Sequence, residues 1–240
     1  MESNHIAYDY LKSFDRIDKI ISENDYSYEE FNYIPSRDKL TFNNGFYVDC
    51  STMFVDIRGS SDLPSLHKRP KLAKLYRAYV SEIVAVINGN PLCVEVNIVG
   101  DCVSGIFDTK YQNGINSVFA TAFTISSLIS VMNCKFKKND IETIRVGIGI
   151  SYGRALMIKA GYNGSGINDV VWMGDVVNEA SKLCSYGDKD GNGRIVVSSV
   201  FYSNLNQDNQ KLLRMNYYPL YYHGDVGSEE MEEWYGQNCM

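Results

Sequence analysis

In the stretch Met53–Asp62, "MFVDIRGSSD", an apolar run ends on a carboxylate, Asp56, and small, flexible residues follow it. An unpaired charge at the edge of a core is expensive to desolvate, so something should offset that cost: a metal ion, an arginine partner or a helix amide. A second carboxylate, Asp101 in "IVGD", ends another apolar run at a tight turn roughly forty-five residues later. If the two runs are neighbouring strands, both acids converge at one sheet edge, and Gly100 lets the backbone come close. Paired acids in that arrangement suit hard divalent cations; magnesium is typically bound by one or two carboxylates plus phosphate oxygens. Two such ions can flank a phosphoryl centre, one activating the attacking oxygen and the other neutralising the leaving phosphate. The segment Arg58, Gly59, Ser60, Ser61 would then open a helix with its free amides facing the phosphates. Either aspartate alone reads as a strand-end turn or helix cap; together, in this order, they favour a metal site.

Composition narrows the ligand classes. The chain has 240 residues, 45% of them hydrophobic, and a net charge of -6. That length supports one core with embellishments. The acidic balance counts against nucleic acid and anionic membranes as main partners. The charged N-terminus has no signal-peptide core, and no run is read as a membrane span, so the expected location is the cytoplasm. Six cysteines, at 50, 93, 102, 134, 184 and 239, include no C-x-x-C pair. They are expected to be small buried hydrophobes in a reducing compartment, not a disulfide frame or a zinc site.

The elements that must position the acids follow from periodicity. Ile6, Tyr10, Phe14, Ile17 and Ile21 recur at helical spacing, and a Tyr-rich irregular connector follows; residues 1–44 are expected to form an N-terminal helical extension to a catalytic domain at 45–240. A strand ending near Asp56 is followed by a basic helix, "HKRPKLAKLYRAYVSEIVAVINGN" from His67, whose stripe is Leu72, Leu75, Tyr79, Ile83 and Val86. "CVEVNIVGDCVSGIFDT" reads as a hairpin about a Gly-Asp turn. A second helix covers "NGINSVFATAFTISSLISVMNCKF", and "TIRVGIGISYGRALMIKAG" reads as two strands joined near Tyr152-Gly153. "GDVVNEASKLCSYG" makes a short helix, "GRIVVSSVFYSNL" a strand and helix turn, and the aromatic C-terminus adds strand. This order implies an α+β fold: one antiparallel sheet with helices on its face.

In "FVDIRGSS", "VNIVGD" and "VWMGDVVNEASKL" the chain resembles the class III nucleotide cyclases, over about residues 45 to 200 with matching order and spacing. The resemblance implies a ferredoxin-like, palm-like sheet and conversion of a nucleoside triphosphate to a 3',5'-cyclic monophosphate and pyrophosphate. It implies that Asp56 and Asp101, with the Ile57 carbonyl, bind two magnesium or manganese ions. Asn178 and Lys182, four apart on one helix face, match the family's asparagine and arginine. The asparagine orients the ribose, and the basic residue stabilises charge on the α-phosphate. Lysine for arginine replaces a planar fork by a point charge. In the family the aspartates come from one subunit and the asparagine-basic pair from the other, which implies a two-fold homodimer with shared sites and an inactive monomer.

The base-reading positions depart from the purine cyclases. A lysine and an aspartate or threonine commonly read adenine there; this chain has Asn97 and Val171. Valine offers no hydrogen bond, so the pocket is not built for adenine. "FVDIRGSSDL", "RALMIKAG" and "NDVVWMGDVVNEASKL" are most similar to the pyrimidine cyclases of bacterial Pycsar antiphage systems, whose cyclic UMP or cyclic CMP activates a separate effector. UTP is the preferred substrate on that resemblance and CTP the alternative, since an Asn side chain can flip to suit either edge. A nucleotide-binding sensor without turnover and a polymerase-like transferase are the rival readings. The first would lack one of the metal carboxylates or Asn178, and the second needs a basic template surface. "DKDGNG" at 188–193 resembles half an EF-hand loop, but Ser199 stands where Glu should, so it reads as a polar turn. "VGIGIS" reads as close strand packing instead of a phosphate loop, and Arg154 and Lys159 as surface charge.

Overall fold

The computed structural model describes residues 5–66, 68–164 and 166–239. His67, placed at the head of the first core helix by the sequence reading, and residues 1–4 lie outside the described residues. The spine is the strand β2 (Gly45–Ile57), numbered after a four-residue strand β1 (Tyr28–Phe31). Alternation along β2 sends Met53, Val55 and Ile57 to one face, and Phe46, Val48 and Cys50 to the other. The first face is covered by α3 (Arg69–Asn88) and α4 (Gln112–Lys137), which follow α1 (Tyr10–Ile21) and a single turn α2 (Leu63–Leu66). Leu75, Tyr79, Ile83 and Ile87 of α3 are fully buried there, so the predicted stripe runs on to Ile87 in place of Val86. Fully burying one such side chain contributes about 1.5–3 kcal/mol, and this layer is the main core.

The strands β3 (Cys93–Val99) and β4 (Cys102–Phe107) form the predicted hairpin, with Gly100 at φ 63 in its turn. β4 pairs antiparallel with β2, placing Val103 opposite Val55. On the other side of β2 runs β5 (Val146–Tyr162), a single strand of 17 residues in unbroken register from Gly45↔Ile158 to Ile57↔Val146. This corrects the expectation of two strands joined at Tyr152-Gly153. The chain turns instead after Tyr162, where Gly164 and Gly166 have positive φ, and returns as β6 (Ile167–Met173). The glycines inside β5 serve packing: Gly147 and Gly149 face α5 (Asp175–Tyr186), and a Cβ on Gly149 would run into the backbone of Ala180 and Cys184. The expected close packing is therefore strand against helix.

Beyond β5 lie β7 (Ile195–Val197), β9 (Tyr221–Gly224) and β8 (Arg214–Asn216); seven strands run in the order β3-β4-β2-β5-β7-β9-β8, and β1 on β2 and β6 on β5 bring the sheet to nine among the described residues. The sheet is mixed, not wholly antiparallel: β1 pairs parallel with β2, and β7 parallel with β5. The helices α6 (Ser199–Asn204) and α7 (Gln207–Lys211) bridge β7 to β8, and α8 (Glu229–Cys239) ends the chain.

Three further expectations change. The Tyr-rich connector contributes β1, because its Tyr28–Phe31 stretch finds the free edge of β2 beyond the end of β4. By length and composition α4 is long and apolar enough to cross a bilayer, contrary to the sequence reading, but 13 of its residues, Phe119, Ile125 and Ile129 among them, are buried in the core. Finally, Cys134 and Cys239 form a disulfide, whereas all six cysteines were expected to be free thiols. The pair is 105 residues apart in sequence, so no spacing announces it; it arises because α8 docks along α4, where Ser127 Oγ also donates to Glu232 Oε1 at 2.6 Å. The other four cysteines are free. Burial first, then the neighbouring carboxylates, push the Cys102 thiol up to about 12, which leaves it inert. None of the residues of α1 is buried; it meets the domain where Arg16 lies 4.8 Å over the Tyr162 ring.

Candidate active site

The end of β2 and the β3–β4 turn bring Asp56 and Asp101 to one end of the sheet. Asp56 lies opposite Gly147 of β5, one residue beyond the Val55↔Val103 pair, while Asp101 stands in the turn just before Cys102. The two charges feel each other: the Asp56 carboxyl is held above its ordinary range, first by desolvation and then by Asp101, with Arg58 opposing. Asp101 Oδ2 is closed off from solvent and has no hydrogen-bond partner. An acceptor left unpaired in this way is costly unless a cation completes it. Among the described residues no three His, Cys, Asp or Glu side chains converge. Two carboxylates beside the main chain of Ile57 therefore suit a hard cation that takes its other ligands from phosphate and water.

The segment after Asp56 divides in two. Arg58 turns away from a phosphate role: its amide donates to the Arg145 carbonyl at 2.8 Å, and its guanidinium Nη2 to the Cys184 carbonyl at 2.7 Å. The guanidinium thus caps the end of α5, where carbonyls lack helical partners. Gly59 has φ 65, and Ser60–Asp62 form a 3-10 turn after it, so Gly59, Ser60 and Ser61 remain as the small residues beside the carboxylates.

Asn178 and Lys182 occupy the outer face of α5, both exposed, while Val176, Ala180, Leu183 and Cys184 are buried against the sheet. They line an open cleft of about 420 Å³ together with Tyr186, Leu220 and Tyr221; neither Asp56 nor Asp101 borders it. Tyr186 and Tyr221 stack there with ring centroids 5.2 Å apart. The two sets of residues therefore do not line one cleft in this chain.

The base-reading positions behave differently from each other. Asn97 is exposed on β3, and its Nδ2 donates to Glu95 Oε1 at 3.1 Å. Val171 is on the outward pleat of β6; its neighbour Trp172 packs inward and donates from Nε1 to Glu95 Oε2 at 2.8 Å. The side chain of β6 that reaches the Asn97 network is therefore Trp172, not Val171. Sequence reasoning passed over Glu95 and Trp172, although "VEVN" places an acid two residues before Asn97, on the same face of a strand. Arg154 is tied to Glu30 at 2.9 Å and Lys159 lies 5.1 Å over the Phe42 ring, so both are surface contacts. Asp188 at the head of "DKDGNG" pairs with Arg145 at 2.9 Å, and β7 follows, as a polar turn requires.

Comparison with known proteins bears on these two sets of residues. The chain is 50% identical over 198 residues to a uridylate cyclase of Gulbenkiania mobilis, covering 79% of this chain and 76% of that protein. It is 36% identical over 239 residues to a uridylate cyclase of Treponema porcinum, covering 98% and 83%. Among solved structures, the adenylyl cyclase CyaB from P. aeruginosa superposes with a TM-score of 0.62 at 20% identity, covering 72% of this chain and 86% of that one, a likeness of fold. Residues 43–235 match the model of the adenylate and guanylate cyclase catalytic domain, and with the carboxylates, the hairpin and α5 in the arrangement described, the chain belongs to that family.

Proposed function

We propose that the protein is a pyrimidine nucleotide cyclase that converts UTP to 3',5'-cyclic UMP and pyrophosphate. The observation that carries the reading is the Asp56–Asp101 pair, with its unpartnered oxygen, in a chain 50% identical over 198 residues to a uridylate cyclase. Asp56, Asp101 and the Ile57 carbonyl would hold two magnesium or manganese ions, which when bound supply acidity to the ribose 3'-hydroxyl and offset triphosphate charge. Gly59, Ser60 and Ser61 let the triphosphate lie on the backbone. The 3'-oxygen attacks the α-phosphorus in line, pyrophosphate departs, and the 3'-proton passes to water. Asn178 orients the ribose. Lys182 meets the charge that builds on the α-phosphate. Because these two line a cleft that the carboxylates do not border, two protomers related by a two-fold axis complete each site, as two equivalent sites. Residues 45–240 carry this chemistry, drawing on the cytoplasmic nucleotide pool, and residues 1–44 are an extension to it. The product serves as a second messenger for a separate effector in antiphage defence.

The test is incubation of the purified dimer with manganese and each of ATP, GTP, CTP and UTP, with products identified by mass spectrometry beside Asp56→Ala. Cyclic UMP from the wild type alone is the expected result; cyclic AMP alone overturns the pyrimidine reading, and no product from any nucleotide favours a sensor.

Two expectations attach to the half-sites. Lys182→Ala should lower kcat about 10²-fold, within the range for loss of one transition-state donor, whereas Lys182→Arg keeps the charge, adds a fork and retains most activity. The second concerns Asp56, whose folded pKa is raised. Its contribution to metal-free stability is present below the unfolded carboxylate value and is lost as pH rises through the raised folded value. Asp56→Asn should therefore raise the melting temperature of the metal-free protein at neutral pH. Manganese should raise that of the wild type but not of Asp56→Asn, and its effect on the wild type should fade as pH falls through the Asp56 titration.

A further inference from the structure

We propose that Glu95 is a positioning residue that fixes which end of the Asn97 amide faces the base, and so makes the site select uracil over cytosine. The inference rests on the cyclase reading above and goes beyond it, since an unrestrained asparagine suits either pyrimidine.

Glu95 is on β3 with a side chain only 7% exposed, the burial of a core residue. Three groups surround its carboxylate. The Trp172 indole Nε1, which can only donate, lies 2.8 Å from Oε2. The Arg37 guanidinium is 3.8 Å from the same oxygen and is itself tied to Asp169 at 2.6 Å. Asn97 Nδ2 lies 3.1 Å from Oε1. Ringed by a donor-only indole and a cation, the carboxylate presents acceptors, and an acceptor holds the NH₂ end of the Asn97 amide. Oδ1 is then the end left to face outward. Turning the amide over would set two acceptors against each other at the edge of a buried carboxylate, a costly arrangement.

The bases differ at that point. Uracil carries a donor at N3; cytosine carries a lone pair there. A fixed Oδ1 accepts from uracil N3–H and opposes cytosine N3. Polar mismatch of this kind discriminates between substrates far better than a missing methyl group does. The same network gives the N-terminal extension a part in the site through Arg37, and it gives β6 a part through Trp172, while Val171 next to it stays on the outer pleat.

Glu95→Gln is the test, because glutamine is nearly isosteric and can present either a donor or an acceptor to Asn97. With kcat/KM measured for UTP and CTP on one dimeric preparation, the UTP preference is expected to fall at least tenfold in Glu95→Gln. Asn97→Ala changes an exposed side chain and tests the same point should the buried substitution not fold; its UTP preference should fall as far, with the melting temperature unchanged. A parallel loss on both substrates with the ratio kept, in Glu95→Gln or in Asn97→Ala, overturns the inference and leaves the cyclase reading intact. A wild type that turns over CTP as well as UTP, or neither, overturns the UTP reading itself.

Discussion

Asp56→Ala protomers, inactive alone, and Lys182→Ala protomers, lowered about 10²-fold alone, are expected to recover about a quarter of wild-type turnover when mixed in equal amounts and allowed to exchange. The fraction follows from two-fold symmetry: random pairing makes half the dimers mixed, and each mixed dimer has one site with both intact halves. The argument rests on where the two sets of residues stand in one chain. Asn178 and Lys182 look outward from α5 into a cleft shared with Tyr186 and Tyr221, which neither Asp56 at the β2 terminus nor Asp101 in the β3–β4 turn borders. If one chain held a whole site, the two defects would not complement and the mixture would show no more than the residual turnover of Lys182→Ala. The readout is cyclic UMP formed per protomer, with Asp56→Ala mixed with Asp101→Ala as the control. Those two changes strike the same half-site, so every mixed dimer keeps both sites broken and no activity returns.

Much of this arrangement was legible in the residues. Alternation and the Gly-Asp turn of "VNIVGDCV" predict a hairpin from local pattern, and the convergence of the acids then hangs on the strand ending at Asp56 pairing with it, as β2 does with β4. What eluded the pattern depends on contacts distant in sequence. A Gly-rich strand such as "VGIGISYGRA" looks like a strand with a break, because glycine signals a turn as readily as a close approach; only the presence of α5 against Gly147 and Gly149 decides between the two. The Cys134–Cys239 disulfide and the helix α8 depend on docking across 105 residues. Arg58 sits in the phosphate-loop motif, yet its guanidinium finds the carbonyls at the end of α5, which no spacing could reveal. Glu95 would pass for a solvated strand acid until Trp172 arrives from β6 to bury it.

Gly149→Ala is expected to destabilise the fold and to disable the site together. A Cβ at 149 would meet the main chain of α5 at Ala180 and Cys184, and main chain cannot turn aside as a flexible side chain does. Inserting a carbon into so close a contact typically costs about 1–3 kcal/mol, and the upper end is expected here because the whole helix must lift. The lift strains ties that hold α5 down: Ser151 Oγ to Glu179 Oε2 at 2.6 Å and Arg58 Nη2 to the Cys184 carbonyl at 2.7 Å. Asn178 and Lys182 move with the helix, and a misplacement of about 1 Å can lower turnover on the order of 10²-fold. The matched control is Gly153→Ala in the same strand, where a Cβ would lie 3.6 Å from Val176, an ordinary contact. Urea denaturation and turnover measured on both variants separate the outcomes. Gly149→Ala should lose both stability and activity, and Gly153→Ala should change the denaturation midpoint little. Equal, small effects at the two positions would mean that α5 is not seated by the missing side chains of β5, and that some other contact sets the height of the helix carrying Asn178 and Lys182.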